Sequence, residues 1–522
     1  MSAVTPPDRN AVGAADPTGH VAGEGPVAAV AFIADPDTWR HWPACGEPLA
    51  PVEQAYRDQL DAAQARTGLA ESVLTGQLEV AGVPAAAVVW EFGFLGGSVG
   101  VGTATQVVAA IRRATAEGRA LLMLPRSGGT RMQEGAPAFV QMVSIAAALA
   151  DHARAGLPCL VHLGHPTTGG VLVTLSAAGD LLTAEPGALV GFLGPRAFAA
   201  ITGDDLPPGV QVAENLEACG VIDEVLELSG VRDRWRTVLA LWADGRSWSE
   251  QPSVDPQAPA VVDLTGRPES SERLWDYVRA SRAADRMGAE DLLDEHVTEW
   301  VGISGTAAGE VAEGARVGLG RIRGIPVVVI ATVDRHAAEP LGVAGLRTAR
   351  RGIALAQRWG LPVVTVVDTL GAALSVDAEL RGIAGELSRT MLDLVAVGNP
   401  TVALLLGAGT GGAALSLLGA DRVVAASHAW VAPLAPEGAA AIRHGGDHDP
   451  AHVAWEQRIG AHALADIGFV DVVVHESHPN WLAEAADAVA AALTEIRAGV
   501  APDRRVARYA ASRAFGTVEV PG

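Results

Sequence analysis

Gly76-Gln-Leu-Glu-Val-Ala-Gly82-Val-Pro84 is echoed by Gly318-Leu-Gly-Arg-Ile-Arg-Gly324-Ile-Pro326, an offset of 242 residues from Gly76 to Gly318. The same offset carries Gly118 onto Gly360, Pro158 onto Pro400, and Thr168-Gly169-Gly170 onto Thr410-Gly411-Gly412. It slips by one at Pro195 and Pro436. After an insertion, Gly220-Val-Ile-Asp223 corresponds to Gly468-Phe-Val-Asp471. Ordered matches at a slowly drifting offset are the mark of a duplicated unit. The chain therefore reads as two similar halves.

Each half begins with a hairpin-like pair of strands. Apolar runs then alternate with helical periods. In the first half, strands are expected over 85–90, 120–124 and 159–163, with helices over 103–117 and 133–153. That alternation predicts an α/β fold in which parallel strands are joined by crossover helices. The expected organisation is a disordered tail over 1–25, a first domain over 26–243, a linker over 244–270 and a second domain over 271–522. The linker is read from prolines, serines and weak helical period.

Aromatic residues make up only 4% of the chain against 60 glycines, so burial must rest on Ala, Val and Leu between closely approaching backbones. The formal net charge of −22 repels phosphate backbones and anionic lipid surfaces, arguing against nucleic acid or membrane partners. Cys45, Cys159 and Cys219 lie far apart, with no CxxC pair, which fits a reducing cytoplasm. Residues 394–420 carry no charge and are long enough to span a bilayer, but Gly398-Asn399-Pro400 and the glycines of 407–412 break the run into strand, turn and helix. All 38 basic residues are arginine. With no lysine, the chain can hold no biotinyl-lysine, Schiff base or Walker-type lysine.

The recurrent chemical element is a buried strand, a glycine turn and a helix, as in Leu122-Met123-Leu124 followed by Ser127-Gly128-Gly129. Backbone N–H groups at such a turn, beside the positive end of a helix, can hold an oxyanion. Glycine leaves room for a substrate carbonyl. Two such turns per half, recurring in both halves, suit a reaction in which two carbonyl oxygens need stabilisation. His444-Gly-Gly-Asp-His448-Asp carries metal-ligating groups but lacks helical spacing and reads as a solvated loop. Arg112-Arg113 and Arg350-Arg351 read as charged outer faces.

Over about residues 35–475 the sequence resembles the carboxyltransferase component of acetyl-CoA carboxylase, β-type half first and α-type half second. The resemblance is carried in the first half by Glu91-Phe-Gly-Phe-Leu-Gly-Gly-Ser98, Ser127-Gly-Gly-Thr-Arg-Met-Gln-Glu-Gly135, Pro166-Thr-Thr-Gly-Gly170 and Ala184-Glu-Pro-Gly-Ala-Leu-Val-Gly-Phe-Leu-Gly-Pro-Arg196. In the second half it rests on Leu361-Pro362, Asp368-Thr369, Gly411-Gly-Ala413, Ala435-Pro-Glu-Gly438, Gly468 and Asp471.

The resemblance implies two tandem crotonase-like domains that move a carboxyl group from carboxybiotin, on a separate carrier protein, to acetyl-CoA or another acyl-CoA. It implies that Gly128 and Gly129 offer amides to the thioester oxygen, while Gly412 and Ala413 offer theirs to the biotin ureido oxygen. Gly96, Gly97, Ser127, Arg131, Gly169 and Gly170 would line the acyl-CoA side. Gly371, Gly411, Gly412 and Ala413 would line the biotin side. The implied partners are a biotin carboxylase, a biotin carboxyl carrier protein and a second copy of the chain, the whole being cytoplasmic and serving lipid metabolism through malonyl-CoA.

Three departures stand out. The four-cysteine zinc ribbon usual before the β-type half is missing, so no structural zinc is expected. Gly407-Ala-Gly-Thr410 replaces an acidic residue, two glycines and serine, and 370–373 replaces a Pro-Gly-Ala-Tyr pattern. Two other readings stay open, a malonate-type decarboxylase and a silent subunit of a carboxylase assembly.

Overall fold

The computed structural model describes residues 25–44, 53–175, 178–250, 266–311, 314–333, 340–444, 449–477 and 479–497. The expected tail, apart from Gly25, lies outside these residues, as do Cys45 and residues 445–448 of the histidine-rich loop.

The opening repeat forms two equivalent hairpins. In the first half, β1 (Arg40–His41) pairs with β2 (Val73–Val80), which turns antiparallel into β3 (Val83–Trp90). Both turn residues, Ala81 and Gly82, take positive φ (53° and 74°). Two residues in the left-handed region make the turn whose twist matches a tight hairpin. The counterpart turn at Arg323 and Gly324 does the same, at 49° and 81°.

From β3 the sheet continues in parallel through β4 (Ala120–Leu124), β5 (Cys159–Leu163), β7 (Leu181–Ala184) and β9 (Glu224–Val225). The short β6 (Thr167–Thr168) and β8 (Val190–Gly191) pair separately. In the second half, β10 (Val297–Ile303), β11 (Ala315–Ile322), β12 (Ile325–Thr332), β13 (Val363–Thr369), β14 (Thr401–Thr410), β15 (Arg422–Ala426) and β17 (Val472–Val474) follow the same pattern. β16 (Trp430–Ala432) joins the far end of β14. Crossover helices Val101–Ala116 and Gly135–Arg154 have counterparts in Val343–Trp359 and Ile383–Ala396.

The likeness extends to single hydrogen bonds. Asp180 Oδ2 accepts from the Cys159 amide and Asp421 Oδ2 from the Thr401 amide, both at 2.9 Å. Asp223 accepts from Leu182 at 2.9 Å and Asp471 from Val423 at 2.7 Å. In each half, two carboxylates pin the starts of neighbouring parallel strands.

Both faces of the first sheet are covered. Ala86, Val88 and Trp90 pack with the crossover helices, whereas Ala85, Ala87 and Val89 belong to a core continuous with the second half. Burial on both faces is why these strands read as unbroken apolar runs. The shared core is organised by the helix Leu228–Glu250, which buries Trp235, Val238, Leu239, Trp242 and Trp248. This corrects the linker expectation at its start, because residues 244–250 are helical. Close packing holds them there: a Cβ on Gly245 would lie 2.1 Å from Leu361 Cδ2. Ion pairs also join the halves. Arg351 binds both oxygens of the buried Asp223, at 2.7 and 2.8 Å, and Arg358 binds Asp180.

The uncharged stretch 394–420 divides as its breakers predict, into a helix end, β14 and the helix Gly411–Leu417. Among the described residues, no helix is long and apolar enough to cross a membrane.

Candidate active site

At the C-terminal end of β4 the chain enters the Ser127-Gly128-Gly129 turn. The Gly128 N–H donates to Gly96 O at 2.9 Å, and the Gly129 N–H donates to Ser127 Oγ at 3.0 Å. Ser127, fully buried, donates its own hydroxyl to Gly97 O at 2.6 Å. Both amides expected to hold the thioester oxygen are thus bound within the protein. The turn serves instead as a packing surface, which corrects their assignment as oxyanion donors. Gly97 (φ 61°) tolerates no side chain, since a Cβ would lie 2.0 Å from Arg126 O.

Gly129, at φ 106°, abuts Gly169, which opens the helix Gly169–Leu175. Here the repeat becomes informative. Gly169 (φ 68°) and Gly411 (φ 63°) share one backbone conformation, and each starts a seven-residue helix, Gly169–Leu175 and Gly411–Leu417. The next two amides, of Gly170 and Val171 in one half and of Gly412 and Ala413 in the other, stand in first turns, where the helix itself supplies no acceptor. Amides in that position, beside the positive end of a helix, have the chemistry to hold developing negative charge. Val171 escaped the sequence reading, although the offset that pairs Gly170 with Gly412 also pairs Val171 with Ala413.

Arg131 is also corrected. Its side chain is fully buried, pairing with Glu71 at 2.8 Å and Glu134 at 3.2 Å, and donating to Ser98 O at 3.0 Å and Thr103 Oγ1 at 3.2 Å. Burial alone would lower its pKa, but the ion pair with Glu71 outweighs that and raises it. An arginine enclosed this way has no face for an acyl-CoA.

On the other half, Gly371 (φ 132°) lies beside Thr410, the residue preceding the Gly411–Leu417 helix; a Cβ on Gly371 would sit 3.9 Å from Thr410 Cγ2. The fold thus brings Gly371 next to the residue that precedes 411–413. One departure from the family pattern has a local cause. The buried Asp368 accepts from the Ala408 amide at 3.0 Å, and a Cβ on Gly407 would lie 2.2 Å from Asp368 Oδ1. No acidic side chain fits at 407. Arg286 stands 3.9 Å from Asp368 and binds Glu476 at 2.7 Å. Burial would raise the Glu476 pKa, but hydrogen bonds from His428 and Arg286 bring it down to about 2.

Among the described residues, no group of three or more His, Cys, Asp or Glu side chains is placed to hold a metal ion.

Residues 48–452 match the model of the carboxyl transferase domain family. The chain belongs to that family. It is 45% identical over 480 residues to the probable biotin-dependent acyl-coenzyme A carboxylase beta3 subunit of Mycobacterium tuberculosis (strain ATCC 25618 / H37Rv), covering 90% of this chain and 94% of that protein. The acetyl-coenzyme A carboxylase carboxyl transferase subunits beta/alpha of Salinispora arenicola are 35% identical, covering 87% of this chain and 82% of theirs. The crystal structure of transcarboxylase 12S with hydrolysed methylmalonyl-coenzyme A bound superposes with a TM-score of 0.72 at 20% identity, over 90% of this chain and 88% of that one. The α/β fold of this carboxyl transferase family member is thus the fold of a solved carboxyltransferase.

Proposed function

We propose that this chain is the carboxyltransferase of a biotin-dependent acyl-CoA carboxylase, built from two tandem crotonase-like halves. The observation that carries the reading is the pair of equivalent cradles, Gly170–Val171 and Gly412–Ala413, in a member of the carboxyl transferase family. Carboxybiotin, delivered by a separate carrier protein, supplies the carboxyl group. The Gly170 and Val171 amides hold the thioester oxygen as negative charge develops on it, and those of Gly412 and Ala413 hold the ureido oxygen. The C–N bond to the carboxyl group breaks, the C–C bond to the acyl α-carbon forms, and the α-proton passes to the vacated ureido nitrogen. Two amides at each oxygen favour the transition state over the ground state, the condition for catalysis by such donors.

Acetyl-CoA giving malonyl-CoA, in cytoplasmic fatty-acid metabolism, is the acyl reading adopted. A biotin carboxylase and a biotin carboxyl carrier protein are its partners. Assembly is at least dimeric, the first half of one copy facing the second half of another. Exposed apolar residues support this. Val173 and Leu415, Phe192 and Leu434, and Ile201 and Ile442 are all exposed. Each pair occupies matching repeat positions, so pairing of unlike halves would cover both sets and create two equivalent sites.

The test is transfer from carboxybiotinylated carrier to a panel of acyl-CoAs. Carboxylation of acetyl-CoA in preference to longer chains supports the full reading. Preference for a longer acyl-CoA changes only the substrate. Decarboxylation of malonyl groups on an acyl carrier, without transfer from biotin, would replace the function by the decarboxylase.

A further inference from the structure

Among the described residues, a buried network of Tyr56, Glu71, Arg131 and Glu134 stands in the first half and is not repeated at the matching positions of the second. Tyr56, on the helix Gln54–Thr67, donates its hydroxyl to Glu134 Oε1 at 2.5 Å. Burial first, and then the Glu134 bond, push the Tyr56 pKa up to about 12, so the hydroxyl keeps its proton and remains a donor. Glu134 Oε2 accepts from the Val101 amide at 2.6 Å, at the start of the crossover helix. Arg131 ties Glu134 to Glu71 and to Ser98 O. Ser98 directly follows Gly96 and Gly97, whose carbonyls receive the Gly128 amide and the Ser127 hydroxyl. The Ser127–Gly129 turn in turn abuts Gly169. A continuous chain of contacts therefore runs from Tyr56 to the acyl-side cradle.

The same helix grips this region twice more. Tyr56, Leu60 and Ala63 form an apolar cluster with the fully buried Phe94, and Arg66 donates to Gly93 O. All these ties reach the loop between β3 and the crossover helix. The second half builds the same sheet without them. By the offset of 242 residues, Ala373 stands for Arg131 and Val376 for Glu134, and among the described residues the connection between β10 and β11, which stands where Gln54–Thr67 does, forms no helix. The repeated fold does not need the network, so its presence on one side points to what that side alone must do.

We infer that the helix Gln54–Thr67 is a positioning element of the acyl-CoA side, with Tyr56 and Arg66 holding the 93–98 loop, and through it the Ser127–Gly129 turn, against the Gly170–Val171 cradle. The inference rests on the acyl-CoA reading of that cradle. Neither residue touches the substrate; both act through the backbone they restrain.

Tyr56→Phe keeps the ring in its apolar cluster and removes only the hydroxyl. Arg66→Ala removes an exposed tie without disturbing the core. Acetyl-CoA affinity is read by calorimetry, which does not depend on turnover, and transfer is read separately with carboxybiotinylated carrier. Tyr56→Phe should weaken acetyl-CoA binding about tenfold and Arg66→Ala severalfold, with KM for the carrier unchanged in both. Folded variants whose acetyl-CoA affinity stays at the wild-type level, or whose acetyl-CoA and carrier constants rise together, overturn the inference. A wild type that binds acetyl-CoA but transfers nothing defeats the proposed function and leaves this inference to stand on the binding result. A wild type that binds no acyl-CoA overturns both.

Discussion

Gly129 and Gly169 meet backbone to backbone: a Cβ added to Gly129 would lie 3.4 Å from Gly169 Cα and 3.3 Å from Thr168 O. The contact seats the Ser127–Gly129 turn against the helix Gly169–Leu175, whose first amides are proposed above to hold the thioester oxygen. Gly129→Val adds bulk at a position with φ 106° and must push the two turns apart. Transfer should fall at least 10²-fold, the order lost with one oxyanion donor. Steady-state kinetics beside circular dichroism checks this; a folded variant at wild-type rate would show that the contact is dispensable.

Gly412→Val tests the other cradle with less risk to the fold. Its Cβ would come within 2.9 Å of Leu387 Cδ1, the end of a flexible side chain that can turn away. The expected loss is about 10²–10³ in kcat with carboxybiotin. Acyl-CoA affinity, measured by calorimetry, should be unchanged. Loss of both would mean that the two cradles are not separate.

Arg351→Met addresses the joint between the halves. Asp223 is buried and retains the Leu182 amide, but loses a bidentate guanidinium. Breaking one side of a buried pair typically costs about 3–5 kcal/mol. The remaining donors, the Leu182 amide and the Ser304 amide at 3.3 Å, keep the expectation at about 3 kcal/mol. Chemical denaturation should show it as a lower midpoint; a shift worth under about 1 kcal/mol would place the pair among weak surface bridges.

Two buried groups with large shifts contribute to the acid side of the stability profile. Burial holds the His162 pKa down at about 4 against an ordinary 6.5, and Glu476 is held at about 2 against 4.5. Both folded values are depressed, so the unfolded chain takes up protons first as pH falls. Stability from His162 is full above pH 6.5 and fades towards pH 4; that from Glu476 is full above pH 4.5 and fades towards pH 2. His162→Gln should flatten unfolding free energy against pH in the upper window, and Glu476→Gln in the lower. An unchanged slope in either window would refute that assignment.

Much of the fold was legible because its signals are local or periodic. The strand expected over 120–124 is β4 and that over 159–163 is β5, since buried parallel strands are uninterrupted apolar runs with clear ends. The helix Leu228–Glu250 runs past the expected start of the linker at 244, where Gly245, Ser247 and Ser249 weaken local helix propensity. Packing of Trp242 and Trp248 into the shared core overrides that. In the site, Gly128 and Gly129 are singled out by the strand, glycine-turn and helix pattern and by the family resemblance. Nothing in a Gly-Gly pair tells whether its amides are already taken.

By itself the sequence determined the α/β order of elements, the two halves with their matching turns, and the exclusion of any lysine-borne group. These follow from periodicity, repetition and composition, which one chain carries in full. Tertiary contacts alone reveal that the Gly128 and Gly129 amides are already bound, that Arg131 is enclosed by Glu71 and Glu134, and that Asp368 forbids a side chain at Gly407. Those outcomes depend on contacts between residues tens of positions apart, as between Gly96 O and the Gly128 N–H. A hydrogen bond satisfied by a distant partner leaves no mark on the local pattern, and that is why the chemistry of the turns had to wait for the fold.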